Sequence, residues 1–486
     1  MKNIFWRLGR RVKKWDDRLL MWSVIFCIIC SMAVAILIVV WQDIAVDVST
    51  SPFVSKCATV ILFTAMLSTV VIMGVLRQGK FYENLENRQL LARMIIDNAW
   101  YETDLRSNNK GDQDITYMPR LYYWRRRSIT YFPRMYYRKK DGKIYITVKI
   151  SMGRYQEQLL HLESKVETGL DCEIIGADYK HKWQYYTFLC EVEKSRVNIN
   201  QMQAENGGIQ FMRHILWNYN SHPHALIVGE TGSGKTYLML SIVEILLDIK
   251  AKLFIIDAKN ASLAGLETVL PDVYYRKEDI KECVYRFCSA MMDRMDEMRK
   301  SPNYTPATDY RDFNMTPNFL IFDEYVAYMV MLPKKEWEEV MDVLKQIVLL
   351  GRQAGFFIIL SCQRPDAKYM PDGIRDQFGL RVALGMMEGS GYTMMFGSTD
   401  KQFVTKDISG RGYVKLWNGV ITEFYAPYVP PEHDFISSIR DKSRYISGGA
   451  AGLPYTFPHD KGDSGDGDDS SNNNEKHESA VVRETK

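Results

Sequence analysis

The chain has 486 residues, 46% hydrophobic and 25% charged, which excludes a disordered or fibrous protein and gives room for two to three domains. The formal net charge is only +3, but 450–486 holds eight acidic against four basic residues, so the remainder carries about +7. Basic charge of that kind suits a membrane surface or nucleic acid, and the eight scattered cysteines exclude a disulfide scaffold or a zinc site and match a reducing compartment.

Residues 1–18 carry seven Lys or Arg against two Asp and read as a basic cytoplasmic N-terminus. The stretch 19–41 then runs without a charge, and as a helix its 23 residues reach roughly 34 Å, enough for a bilayer core. It is too long for a signal peptide, and no small-residue cleavage site follows. A second apolar run, 58–76, lies past a loop bearing Asp43, Asp47 and Lys56, and Arg77 and Lys80 flank it. Basic flanks stay inside, so 19–76 predicts a cell-membrane hairpin of two spans with both chain ends in the cytoplasm.

Residues 77–140 read as a juxtamembrane connector, with an amphipathic helix near 81–100. Its second half, 117–140, interleaves Arg120, Arg125, Arg126, Arg127, Arg134 and Arg138 with tyrosines and Trp124. Three roles suit that composition: a grip on nucleic acid, contact with anionic lipid headgroups, or ordinary exposed strands. Next, 143–150 alternates as a strand, 155–167 is helical, and 172–177 and 183–192 are strands. This β-α-β-β pattern predicts a small α+β domain over 141–198, followed by a polar link at 198–208 and a motor over 199–447.

The motor opens on 225–236, ALIVGETGSGKT, an apolar run leading into G-x-x-x-x-G-K-[ST]. Gly229, Glu230, Thr231, Gly232, Ser233 and Gly234 form a loop whose backbone N–H groups can cradle phosphates. Lys235 would neutralise the β/γ-phosphates of ATP, and the Thr236 hydroxyl would ligate Mg²⁺. A helix from about 237 to 248 points its positive end at the same anion. Strands follow at 252–256, 318–322 and 356–360, separated by helices at 277–300 and 334–350. The second ends in Asp323 and Glu324, suited to holding Mg²⁺ through water and to deprotonating the attacking water. The third leads to Gln363, a polar residue placed to sense the γ-phosphate. Alternating strands and helices predict an α/β fold with a parallel sheet and ligands at the carboxyl ends of its strands.

Residues from about 143 to 440 resemble the FtsK/SpoIIIE family of DNA-pumping ATPases. The resemblance rests on HPHALIVGETGSGKT (222–236), FIIDAK (254–259), LIFDEY (320–325), GRQAGFFIILSCQRP (351–365) and the GRGY turn (410–413). It implies a RecA-like P-loop core, a homo-hexameric ring around DNA, and ATP sites between subunits. It also assigns nucleotide binding to Gly229 through Thr236, Mg²⁺ to Asp323, catalysis to Glu324 and γ-phosphate sensing to Gln363. A neighbour's arginine is implied at each site, with Arg352, Arg381 and Arg411 as candidates. Cys362 stands where the family commonly has Thr. Two spans, almost no linker and an acidic polar tail at 448–486 set the chain apart from chromosome-segregating members. They resemble instead coupling proteins of Gram-positive conjugative elements, which are implied to bring relaxase-bound DNA to a secretion channel. The alternatives are a septal segregation translocase and, in another class, a non-pumping membrane scaffold for DNA and relaxase.

Overall fold

The alternating run at 143–150 does form a strand, and in a computed structural model it lies within a five-stranded antiparallel sheet. The structure describes residues 9–21, scattered positions from 23 to 33, 80–103, and 129–448 apart from 206, 367, 371 and 405. Strand β1 (Arg10–Arg11) comes from the N-terminus, and β2 (Glu102–Thr103) and β3 (Ile129–Tyr131) form a separate short pair. Strands β4 (Met135–Lys140), β5 (Lys143–Lys149), β6 (Glu173–Lys180) and β7 (Trp183–Leu189) complete the sheet in the order β1-β4-β5-β7-β6.

Helix α1 (Lys80–Asp97) buries Leu91, Ala92 and Ile95 in the same core as Val12, Ile144, Ile146 and Phe188. The expected single helix at 155–167 is two, α2 (Gln156–Leu160) and α3 (Glu163–Leu170), because His161 leaves helical geometry at φ −127° and ψ 64°. The sheet of the expected small domain also takes in elements before 141: 77–140 supplies α1 and β4, and the basic N-terminus supplies β1. Of the basic aromatic stretch, 117–128 lies outside the described residues, while Tyr136 and Tyr137 are buried in β4.

The N-terminal segment is held to α1 by more than apolar contact. Asp16, 1% exposed, accepts from the Lys13 N–H at 3.0 Å and pairs with Arg88 at 2.6 Å. The Leu20 N–H donates to Gln89 Oε1 at 2.9 Å, and Arg93 Nε donates to the Asp17 carbonyl at 3.2 Å. The predicted span 58–76 lies outside the described residues, as do most positions of 19–41. No helix among the described residues is long and apolar enough to cross a membrane. The tail from 449 also lies outside them.

The expected polar link is structured. Strands β8 (Gln203–Glu205), β9 (Gly208–Met212) and β10 (Ile215–Asn218) form an antiparallel meander. Ile209, Phe211, Met212, Ile215 and Trp217 join the motor core from it, an apolar content that the flanking Asn and Gly residues obscure.

The motor is an eight-stranded sheet. Strand β11 (Ala225–Gly229) leads through α4 (Lys235–Asp248) to β12 (Lys252–Asp257) and β13 (Val273–Tyr274). Helix α5 (Lys277–Lys300) precedes β14 (Asn318–Asp323), and α6 (Tyr325–Met331) and α7 (Lys334–Ala354) precede β15 (Phe356–Cys362). Strand β16 (Leu380–Leu384) and helix α8 (Gly389–Phe396) come next, then β17 (Arg411–Leu416), β18 (Ile421–Tyr425) and helix α9 (Phe435–Gly448). The order is β13-β12-β14-β15-β11-β16-β17-β18, parallel through β16, with β17 and β18 antiparallel.

Both faces are covered, which is why these strands read as continuous apolar runs. Ala225, Ile227, Ile255, Ile321 and Ile359 pack on one face with Leu238 and Ile242 of α4. Leu226, Val228, Ile256, Phe322 and Leu360 pack on the other with Phe287 of α5 and Leu344 of α7.

The His residue that closes the start of β11 is structural. His224 is fully buried; its Nδ1 accepts from the Ile358 N–H at 3.0 Å, which leaves Nε2–H to donate to the Val348 carbonyl at 3.0 Å. Burial pulls its pKa down to about 4, and burial with help from Lys143 does the same to His214. Both imidazoles must be neutral in the fold, so their contribution is complete above the unfolded value of about 6.5 and is lost as pH falls towards 4. Urea unfolding at pH 5 should show about 2 kcal/mol less stability per imidazole than at pH 7. A His224→Gln chain should start less stable but lose less between those pH values.

Candidate functional site

The strand register carries the chemistry to one edge. Val228 pairs with Cys362, Phe322 with Leu360, and Asp257 with Asp323, so β11, β12, β14 and β15 end at the same level. Strand β11 sits between β15 and β16, while its helix crosses to β12 on the far side of β14. Ligands of open α/β sheets bind at such a point of departure.

The loop geometry explains its glycines. Gly232 and Gly234 hold φ +85° and +91°, and a Cβ on Gly234 would sit 3.0 Å from both Cα and N of Gly410. On Gly229 it would fall 2.5 Å from Ser233 Oγ and 3.1 Å from Leu384 Cβ. The Ser233 N–H donates to the Glu230 carbonyl at 3.1 Å, and the Gly410 N–H donates to the Ser233 carbonyl at 3.0 Å. The GRGY turn thus buttresses the P-loop from behind.

Lys235, buried in the first turn of α4, lies against both acids: its Nζ is 3.2 Å from Asp323 Oδ1 and also bonds Glu324 Oε1. Burial pulls its pKa down, but Asp323 and Glu324 outweigh that and hold the ammonium above its ordinary value. Glu324 takes a left-handed backbone, φ 55° and ψ 42°, at the sharp passage from β14 to α6. For a residue with a Cβ that costs roughly 1–2 kcal/mol, tolerated because the carboxylate is held at both oxygens. Its second oxygen meets Lys259 Nζ at 3.3 Å. Gln363 Nε2 donates to Thr231 Oγ1 at 3.4 Å, which places it over the P-loop.

Ser361 and Asp257, along with Lys259, were not singled out in the sequence. Ser361 donates from Oγ to Asp323 Oδ1, fixing the carboxylate from the adjacent strand. Asp257 accepts from the N–H groups of Ala261, Leu263 and Ala264 at 2.9–3.0 Å and folds the loop that carries Lys259. The sequence signal was strand periodicity: Ser361 faces the site, whereas Cys362, one residue on, is fully buried in the core. Burial pushes the Cys362 thiol up, so it stays protonated, and the Thr-to-Cys departure falls at a buried core position.

The arginines separate. Arg411, 2% exposed, bonds Glu423 Oε1 through Nε at 2.7 Å, the Val404 carbonyl at 2.5 Å and the Tyr413 hydroxyl at 3.0 Å. Every nitrogen is engaged within this chain, so the geometry gives Arg411 a structural role next to the turn that buttresses the P-loop. Arg352 and Arg381 line a cavity of about 520 Å³ with His222 and Trp417. That cavity lies at the amino ends of the strands, the edge away from the P-loop, and Arg381 is tied to Asp376 at 3.3 Å.

The residues present suit a nucleotide. Ser233 Oγ is buried in the loop with no partner, and the N-cap Gly234 leaves the first turn of α4 without a side-chain cap. Lys235 and the loop N–H groups would hold the phosphates, with Thr236 and Asp323 available to Mg²⁺.

Comparison with known proteins finds a relative that aligns along most of the chain. It is 40% identical over 404 residues to the FtsK domain-containing protein YdcQ of Bacillus subtilis (strain 168), covering 80% of this chain and 81% of that one. Identity to the DNA translocase FtsK of Tropheryma whipplei (strain TW08/27) is 24% over 191 residues, 35% of this chain and 25% of that protein. Among solved structures, the pCW3 conjugation coupling protein TcpA in its monomer form with ATPγS aligns at a TM-score of 0.46 and 18% identity, over 64% of this chain and 93% of that one. Residues 220–261 match the family described as Helicase HerA, central domain. With an intact P-loop, its acidic pair and two-fifths identity to YdcQ along four-fifths of both chains, this protein belongs to the FtsK-domain family and is a P-loop ATPase.

Proposed function

We propose that the chain is a membrane-anchored, ATP-driven DNA translocase that acts as the coupling protein of a conjugative element. In this reading a homo-hexameric ring delivers a relaxase-bound strand to the secretion channel. The observation that carries it is the buried Lys235–Asp323–Glu324 centre at the carboxyl edge of the sheet in a chain of this family. Bound Mg²⁺–ATP supplies the phosphoanhydride whose hydrolysis does the work. Lys235 must exchange its carboxylate partners for phosphate oxygens, which frees one Glu324 oxygen to accept a proton from water. Lys259 keeps the other oxygen oriented, and Gln363 reports the state of the P-loop to the end of β15.

Anchoring is supported by the union of 9–20 with α1. Asp16–Arg88 and Leu20–Gln89 tie the two flanks of 21–79 together, so both lie on one side of any membrane that the intervening apolar runs cross. Two spans are consistent with that arrangement.

Glu324→Gln in the full chain should preserve nucleotide binding while lowering DNA-stimulated ATP hydrolysis about 10²–10⁴-fold and abolishing DNA transfer between cells. Transfer at the unmodified frequency would end the motor reading. ATP hydrolysis indifferent to every DNA would favour the scaffold, and mis-segregated DNA at septa with normal conjugation would favour the segregation role.

A further inference from the structure

Where β1 meets the β3–β4 edge, the small domain opens a cleft of about 660 Å³. Five cations line it: Arg11, Lys13 and Lys14 from the N-terminal segment, Arg134 before β4, and Lys149 at the end of β5. No acidic residue is among its lining, and none of the five forms an ion pair with the described residues. Elsewhere in this domain cations are paired, Arg88 with Asp16 and Lys139 with Glu83. Five like charges gathered without a counter-charge repel one another, and an entering anion relieves that repulsion.

The rest of the lining is aromatic. Trp15 stands 56% exposed at the rim, with Tyr131 and Phe132 on the facing wall. Trp15 lies four residues before the uncharged run 19–41 begins. A tryptophan at that distance from a bilayer core sits at headgroup level, where amphipathic rings are favoured. The cleft volume also falls in the range of small-ligand sites.

We infer that this cleft binds the headgroup of an anionic glycerophospholipid of the leaflet facing the motor, with the five cations on the phosphate and the aromatic rim against the glycerol. The inference rests on the membrane-anchored reading above. A DNA backbone is the rival anion, but the cleft opens at the residues that enter the bilayer, where headgroup phosphate is already concentrated.

The test uses the full chain in neutral detergent, with dihexanoyl phosphatidylglycerol and dihexanoyl phosphatidylcholine as probes and Trp15 fluorescence as readout, calibrated by Trp15→Phe. The anionic lipid should bind at least about tenfold tighter than the zwitterionic one, and Lys13→Gln, Lys14→Gln and Arg134→Gln together should erase that preference. ATP hydrolysis should be unchanged, which checks folding, and each single substitution should give a smaller loss in the same direction. Equal affinity for the two lipids overturns the inference. Equal binding of inorganic phosphate assigns the cleft to free phosphate, and a short duplex bound through the same three side chains without lipid assigns it to DNA; either overturns the lipid. Alkaline carbonate extraction of membranes tests the anchor separately: release of the chain sinks the membrane reading, whereas retention without lipid preference sinks the cleft alone.

Discussion

Lys235→Ala should lower ATP hydrolysis at least about a hundredfold, measured as phosphate release by the full chain, because it removes the cation that meets the β/γ-phosphates. The geometry adds a second consequence. Lys235 is the shared partner of Asp323 and Glu324, both nearly buried, so its loss leaves Glu324 with Lys259 and Asp323 with only the hydroxyl of Ser361 among the described contacts of their side chains beyond the local backbone. Breaking a buried pair in this way costs about 3–5 kcal/mol, so the nucleotide-free variant should also unfold at lower denaturant. Glu324→Gln separates the effects, since it keeps the lysine and its phosphate contact while losing the base. Retention of a tenth or more of wild-type turnover by Lys235→Ala would refute the assignment.

Arg411→Ala should destabilise the motor by about 3–5 kcal/mol in chemical denaturation. Glu423, 2% exposed, is built around this guanidinium: it also accepts from Lys406 at 2.9 Å and from the Tyr425 hydroxyl at 3.1 Å. Burial works against its charge, but the bonds from Lys406 and Arg411 outweigh burial and depress its pKa. Its contribution is therefore present above the usual carboxylate range and lost as pH falls below it. An arginine acting on a neighbour's nucleotide would give the opposite phenotype: a chain of normal stability that binds ATP and does not hydrolyse it.

The P-loop, the acidic pair and four parallel strands were legible because each is local: a spacing of glycines, an apolar run, an acid at its end. What escaped depends on partners far along the chain. Arg411 reads as a free arginine after a glycine until β17 and β18 are paired, Tyr413 opposite Glu423, which brings the acid beneath it. Lys259 reads as a polar residue after a strand, and only the register Asp257–Asp323 sets it beside Glu324. The meander at 203–218 was hidden by its short strands and by a turn at Gly207, whose φ of +80° suits glycine. The share of β4 in the small sheet escaped because it looks like an exposed basic strand; Tyr137 is buried in the core that α1 lines, and Tyr136 packs near Trp183.

The two-residue strand β1 has a consequence for the order in which the protein is made. Arg11 pairs with Tyr136, which leaves the ribosome 125 residues later, roughly 6–25 s at common elongation rates. Until then β1 has no strand to pair with, and until they pair the open edge of β4 offers N–H and C=O groups to any passing strand. Gly9, at φ +91° with no room for a side chain against the Tyr137 carbonyl, lets the N-terminus lie flat along that edge. Strand β1 therefore waits for β4, and their pairing covers one edge of the small sheet.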